Sequence, residues 1–245
     1  MSMIVPTPYR NTLSEWKKVL YRQITEILLD YATEFEIKAE KIAPSDVFTI
    51  LACIHHDHPE IFWINWWDGI RCIHYPIRRS IKVILSPLIE KKIIKACRRT
   101  MNNKLQGLSL HFPYGSSIKV KYQYIFEACI DGLAYKDTGS ALYDHTIVGP
   151  LLTHSAVCEG ISKLFLLYCQ HFDLPCMIVC GKVDNSPHAW NLIEDNEGIK
   201  HIDITAEMAQ RKLIGRLHRL SLLTSSQQCR RGYVWHDCPL IQNSR

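Results

Sequence analysis

The chain is 245 residues long, 47% apolar and 22% charged, enough apolar content for a sizeable core and too much for a disordered, collagen-like or coiled-coil protein. Its longest apolar runs, around Phe62 to Trp67 and Leu164 to Tyr168, fall far short of the ~18 residues that a bilayer span requires. The 29 basic and 24 acidic residues leave a net charge of +5, unevenly spread.

The opening Met-Ser-Met-Ile-Val-Pro-Thr-Pro has no basic stretch leading into an apolar one, so no secretory signal and a cytoplasmic location are expected. Leu13, Trp16, Leu20, Ile24, Ile27, Leu28 and Tyr31 recur at three- and four-residue steps and predict an amphipathic helix, with Thr12 and Glu15 as its capping box. A second, short helix should begin after Ser45 and end near His56-Asp57-His58-Pro59-Glu60. The segments Arg71 to Tyr75 and Ser80 to Leu85, punctuated by Pro76 and Pro87, read as strands. The helical period returns with Ile89, Ile93, Ala96 and Cys97 on one face and basic residues on the other. Asn102 to Tyr114 contains Gly107 and Pro113 and is expected to be a loop. Ile118, Tyr122, Ile125, Phe126, Cys129, Ile130 and Leu133 predict a third helix.

Two stretches concentrate the positive charge. Arg78 to Lys104 holds nine Lys or Arg against one acid, Glu90, and Met208 to Arg231 holds six against none. Such surfaces can meet nucleic acid, an anionic membrane or an acidic protein. The first stretch has no aromatic residue on which a base could stack, so nucleic acid is not the expected partner. A solvated basic face is the plainer expectation, and an acidic protein partner the alternative.

The chemistry concentrates between Thr153 and Glu207. Cys158 precedes Gly160, Ile161, Leu164, Phe165, Tyr168 and Phe172, which are helix-spaced, so it should sit at the first turn of a buried helix. A helix N-terminus favours a thiolate, and its free amides can bind an oxyanion. Pro175 follows the end of that helix, and Met177 to Lys182 is apolar and β-prone. Asp184-Asn185-Ser186-Pro187 is expected as a turn, followed by a strand opening on His188. A second turn at Asp195 to Gly198 leads into Ile199 to Thr205, expected as a third strand carrying Asp203. Thiol catalysis uses a sulfur nucleophile, an imidazole that exchanges protons with it, and a carboxylate that orients the imidazole. On neighbouring antiparallel strands His188 and Asp203 can face one another. The plain alternatives are an inert buried thiol, a structural histidine and a capping aspartate.

These residues resemble a known family. Val157-Cys158-Glu159-Gly160, His188-Ala189-Trp190-Asn191 and Ile202-Asp203-Ile204-Thr205 are similar to the three motifs of the transglutaminase-like superfamily of papain-fold thiol enzymes. Leu174-Pro175-Cys176 resembles its Gly-Ile-Pro-Cys turn, and Tyr122 to Asp137 resembles the segment preceding its core. The likeness covers Tyr122 to Glu207. His56-Asp57-His58-Pro59-Glu60-Ile61-Phe62-Trp63 is further similar to the N-terminal extensions of bacterial members. Leu174 in place of the family's Gly-Ile and Ala206-Glu207 in place of a Trp after Thr205 are departures outside the three catalytic positions.

The resemblance implies an α+β fold: a transglutaminase-like core over residues 116–245, with a nucleophile helix on an antiparallel sheet, behind a mainly helical extension over 1–115. It implies Cys158, His188 and Asp203 as catalytic residues, and a peptide or protein amide as substrate. It implies no cofactor. The Cys158 thioester would make the protein a cysteine peptidase, amidase or transamidase. One oxyanion donor would be the Cys158 amide and the other an upstream side chain, Tyr135 or Gln123. The alternative is an inactive protein of the same fold that uses a basic surface for interaction.

Two further groupings remain. His55, His56, Asp57 and His58 contain metal-ligand types, although adjacent histidines before a proline are more often surface groups. Ten cysteines without an expected secretory signal read as reduced; Cys169, Cys176 and Cys180 lack the paired spacing of a zinc site, and Cys176 and Cys180 are expected to pack inward from one strand face.

Overall fold

The computed structural model describes residue 4 and residues 6–38, 42–215, 219–236 and 238–241. The first helix, α1 (Glu15–Leu29), starts from Ser14 rather than Thr12. Thr12 lies in a short 3₁₀ turn and its hydroxyl donates to the Tyr9 carbonyl at 2.8 Å. Strand β1 (Glu34–Lys38) escaped the sequence reading because four of its five side chains face solvent wholly or partly; only Ile37 is buried. Helix α2 (Pro44–Asp57) buries Val47, Ile50, Leu51 and Ile54. Strands β2 (Ile70–Tyr75) and β3 (Ser80–Leu85) lie where expected and pair antiparallel, with β3 central between β1 and β2.

Helix α3 (Lys91–Ser109) overturns the loop expected from Asn102. Met101 and Leu105 continue the buried stripe of Ile94 and Cys97, so packing carries the helix past Gly107. A side chain at Gly107 would meet nothing, so the glycine costs only its ~1 kcal/mol of helix propensity. The charge on this segment is partly used locally. Lys91 and Arg98 stand 5.4 Å and 5.0 Å from the Tyr31 ring centre, and Lys82 pairs with Glu34.

The remaining chain builds an α+β layer. Helix α4 (Ile118–Ile130) leads through β4 (Ala134–Tyr135), α5 (Ala141–His145) and β5 (Ser155–Ala156) into α6 (Cys158–His171), which is buried along most of its length. Strands β6 (Cys176–Val183), β7 (Ser186–Asp195) and β8 (Gly198–Ile202) follow, then α7 (Ile204–Ile214), α8 (Ser225–Arg230) and β9 (Tyr233–Trp235). The sheet is antiparallel in the order β8-β7-β6-β9. The β6–β7 turn is only Asp184 and Asn185, both at positive φ (47° and 65°), so Ser186 and Pro187 belong to the strand and not to the turn.

Strand β8 ends one residue before Asp203, which instead caps α7 by accepting from the Thr205 and Ala206 amides. The expected third strand is therefore shorter, because a carboxylate placed there satisfies two free helix amides better than a ladder position would. Of the two cysteines expected inside, Cys176 is buried and Cys180, four residues along β6, is exposed.

One hydrophobic core runs from Leu13 to Met208 and joins the first hundred residues to the rest. Phe112 stacks on Phe172 at 3.8 Å, the Tyr9 hydroxyl donates to the Ile178 carbonyl at 2.8 Å, and Gln170 donates to the Asp57 carbonyl at 2.8 Å. Among the described residues no helix is long and apolar enough to cross a membrane.

Candidate active site

Cys158 is the first residue of α6, behind Val157 in extended conformation. The turn is held from outside: the Val157 amide donates to the Asp144 carbonyl, and Gly160 lets α5 approach. A Cβ at Gly160 would lie 2.6 Å from the Asp144 carbonyl oxygen and 2.9 Å from that of Thr146. Burial works against the charge of Asp144, but hydrogen bonds from Thr138 and Ser140 outweigh it and hold the carboxyl below its usual range. Asp144 thereby ties down the loop after β4.

Strand β7 presents His188, whose Nε2 lies 2.7 Å from Asp203 Oδ2. The thiol of Cys158 lies near enough to His188 to favour its charged form. Burial disfavours the imidazolium, yet Asp203 and the thiol together raise the pKa of His188 to about 10. Asp203 is likewise desolvated, and His188 and Tyr233 more than compensate, keeping its carboxyl below the usual range. Its four contacts divide by oxygen: Oδ1 accepts from the Thr205 and Ala206 amides, and Oδ2 from His188 and, at 2.6 Å, the Tyr233 hydroxyl. Cys158, His188 and Asp203 are thus brought together. The capping role raised as an alternative for Asp203 is also real, and the same carboxylate serves both.

Tyr135, at the end of β4, lies near Cys158, and burial together with the neighbouring thiol pushes the pKa of its phenol up. Gln123 does not approach; its amide group is spent on Glu127 and the Leu220 amide. Tyr233 was not legible as a site residue, because its partner Asp203 lies 30 positions away and only strand pairing joins them.

A buried ionic cluster behind the thiol was also missed. Glu159 Oε1 lies 2.6 Å from Lys163 Nζ and 3.2 Å from His55 Nε2, and Oε2 lies 3.0 Å from His145 Nδ1. Trp66 packs on His55, and Trp67 on His145 and Lys163. Burial opposes the charge of Glu159, but Lys163 and the two histidines hold its carboxyl far below the usual range. Burial and Lys163 push His55 down to about 4, so it is neutral at pH 7. The Glu159–Lys163 spacing of four was the readable signal. Replacing Glu159 with Gln should destabilise the protein by roughly 3–5 kcal/mol, because the Lys163 ammonium, only 5% exposed, loses its counter-charge. Chemical denaturation would measure this; a loss below about 1 kcal/mol would show the ammonium escaping to water.

Part of the histidine-rich stretch is drawn into this arrangement. His55 faces Glu159; Asp57 accepts from the Tyr9 and Arg10 amides and the Tyr21 hydroxyl; His58 faces Glu60. The His55 and His56 rings lie 5.3 Å apart, and among the described residues no group of three His, Cys, Asp or Glu is arranged to hold a metal.

Chemically, the site sets a thiol at a helix start beside an imidazole–carboxylate pair and a phenol, groups of the kind that nucleophilic thiol chemistry uses. No family model and no curated protein sequence matches the chain. Among solved structures it is similar to a transglutaminase, at 13% identity and TM-score 0.38 over 77% of this chain and 53% of that one. It is similar to menin, in a structure that reveals the binding site for Mixed Lineage Leukemia protein, at 12% identity and TM-score 0.32 over 52% and 27%. A proposed cysteine protease from Cytophaga hutchinsonii is similar at 14% identity and TM-score 0.34 over 63% and 65%. The chain therefore spans about half the length of that transglutaminase.

Proposed function

We propose that the protein is a thiol enzyme that attacks a peptide or protein amide through Cys158 and passes the acyl group to water or an amine. The observation that carries this reading is the 2.7 Å His188–Asp203 pair, with Cys158 at the start of α6 near enough to favour the charged form of His188. In the first half-reaction the sulfur adds to the amide carbon, and the carbonyl oxygen takes up the negative charge. His188 then delivers a proton to the departing nitrogen, the C–N bond breaks and a thioester remains. In the second, His188 takes a proton from water or an amine as that group adds to the thioester, and the sulfur leaves. Residues 1–115 act in this reading as an extension that closes one side of the site through His55.

The charged oxygen would insert between the Cys158 amide and the Tyr135 hydroxyl. Tyr135→Phe is then expected to lower kcat by roughly 10–10³-fold with little change in KM, as loss of one oxyanion donor does. An equal effect on KM alone would assign Tyr135 to binding.

The direct test of the reading is labelling by iodoacetamide followed by mass spectrometry. Cys158 should react ahead of the nine other cysteines, and the selectivity should disappear in His188→Ala. Even labelling across the chain would favour the inactive, interaction-protein alternative. Incubation with a peptide library then separates cleavage, a +1 Da deamidation and a crosslink to an amine.

A further inference from the structure

An open cleft of about 740 Å³ lies beside the site, between α2, the turn before α1, β6 and the segment around β9. His56, Cys180, Gly181, Lys182 and His236 line it, and no acidic residue does. Strand register brings its backbone wall close to the imidazole, while the side chains of Cys180 and Lys182 leave the other face of β6. Gly181 stands directly across the ladder from His188, where paired Cα atoms are ~4.5–5.5 Å apart. Cys180 next to it is close enough to Cys158 and Glu159 to feel their charges. The thiol of Cys180 opens onto the cleft yet is ringed by protein, which pushes its pKa up to about 12. It is therefore a neutral, non-competing wall beside the nucleophile.

Lys182 brings a positive charge to the cleft. Lys182 is exposed and forms no ion pair among the described residues. His56 stacks on Tyr9 at 4.6 Å, and its Nδ1 is buried without a hydrogen-bond partner. Burial, with His55 and Lys163 nearby, lowers the pKa of His56 to about 3, so its ring is neutral and keeps one N–H to donate. The acids nearest the cleft are committed elsewhere: Glu159 to Lys163 and the two histidines, Asp57 to Tyr9, Arg10 and Tyr21. A second cavity, of about 450 Å³, differs in the charge of its lining, which includes Asp57, Glu60 and Asp173.

We propose that the cleft is a substrate subsite for a carboxylate close to the amide that Cys158 attacks, held by the Lys182 ammonium and the His56 imidazole. The inference deepens the proposed function and rests on Cys158 being the nucleophile. Charge-assisted hydrogen bonds to a carboxylate fit this lining. A peptide can supply the carboxylate as an Asp or Glu side chain or as its own C-terminus.

Binding is best measured on the full-length Cys158→Ala protein, where turnover plays no part. Three probes suffice, titrated by NMR: N-acetyl-Ala-Glu-Ala-amide, its Gln counterpart, and N-acetyl-Ala-Ala-Ala with a free C-terminus. One acidic probe should bind about tenfold or more tightly than the Gln probe, and which one does so identifies the source of the carboxylate. Lys182→Gln should abolish the preference and Lys182→Glu should reverse it, with the thermal midpoint unchanged in both. Absence of binding by all three, affinities within about twofold of one another, or a preference that survives Lys182→Gln would overturn the subsite. Failure of Cys158 to react selectively with iodoacetamide in the wild-type protein would instead overturn the thiol-enzyme reading, so the two failures are distinguishable.

Discussion

Cys158→Ala is expected to reduce amide turnover to the uncatalysed background while the protein stays folded. Without the sulfur there is no acyl acceptor, and the remaining groups have no thioester to form or resolve. Truncation to alanine removes one half-buried atom at a helix start, and Val157, Asp144 and Gly160 still hold the turn through backbone contacts. The stability cost should stay near the ~1 kcal/mol typical of point substitutions. Circular dichroism and thermal unfolding check the fold, and product formation from the best library peptide checks the activity. Turnover of the alanine variant at even a tenth of the wild-type rate would end the thiol-enzyme reading.

Asp203→Asn should cost roughly 10²–10⁴ in kcat, by comparison with the same change in other triads. The amide keeps the shape of the carboxylate and its acceptor oxygen for the Thr205 and Ala206 amides, so the cap survives in part. What disappears is the negative charge that favours the His188 imidazolium. The pKa of His188, raised to about 10, should fall toward its ~6.5 reference, as an NMR titration of the ring would show. Stability follows with a defined sign. A raised folded-state pKa contributes fully below the unfolded value of ~6.5 and is withdrawn as pH climbs through the folded value near 10. The stability gap between wild type and Asp203→Asn should therefore be widest near pH 6 and narrow steadily up to pH 10. A gap independent of pH would mean that the pair contributes geometry and no charge. Asp203→Asn with nearly full activity would shift the third role to another acid, with Asp184 and Asp195 next in line.

The placement of the candidate residues in the fold was largely legible in the sequence. Cys158 could be placed at a helix start because Ile161, Leu164, Phe165 and Tyr168 repeat at a helical period that the buried face of α6 requires. His188 could be placed on a strand because its neighbours are apolar and bounded by turn residues. These are local properties, set by periodicity and turn chemistry. The outline of α1, α2, β2, β3 and α4 followed from the same kind of evidence.

What escaped was everything settled by distant partners. Strand β1 exists because β3 offers it a ladder, and its own alternation of charged residues gives little burial to read. Helix α3 continues past Gly107 because Met101 and Leu105 find a core to enter. Asp203 is a helix cap, an imidazole partner and an acceptor for Tyr233 at once, since β9 reaches the sheet edge 30 residues later. Glu159 needs His55, which lies 104 positions away. Cys180 and Lys182 acquire meaning only when α2 and β9 close around them to form a cleft. A sequence records which side chains are apolar and how they repeat along the chain. Which buried charge meets which counter-charge is fixed by the packing of whole elements, because unpaired charges are too costly to bury and the chain satisfies them wherever folding brings a partner within reach.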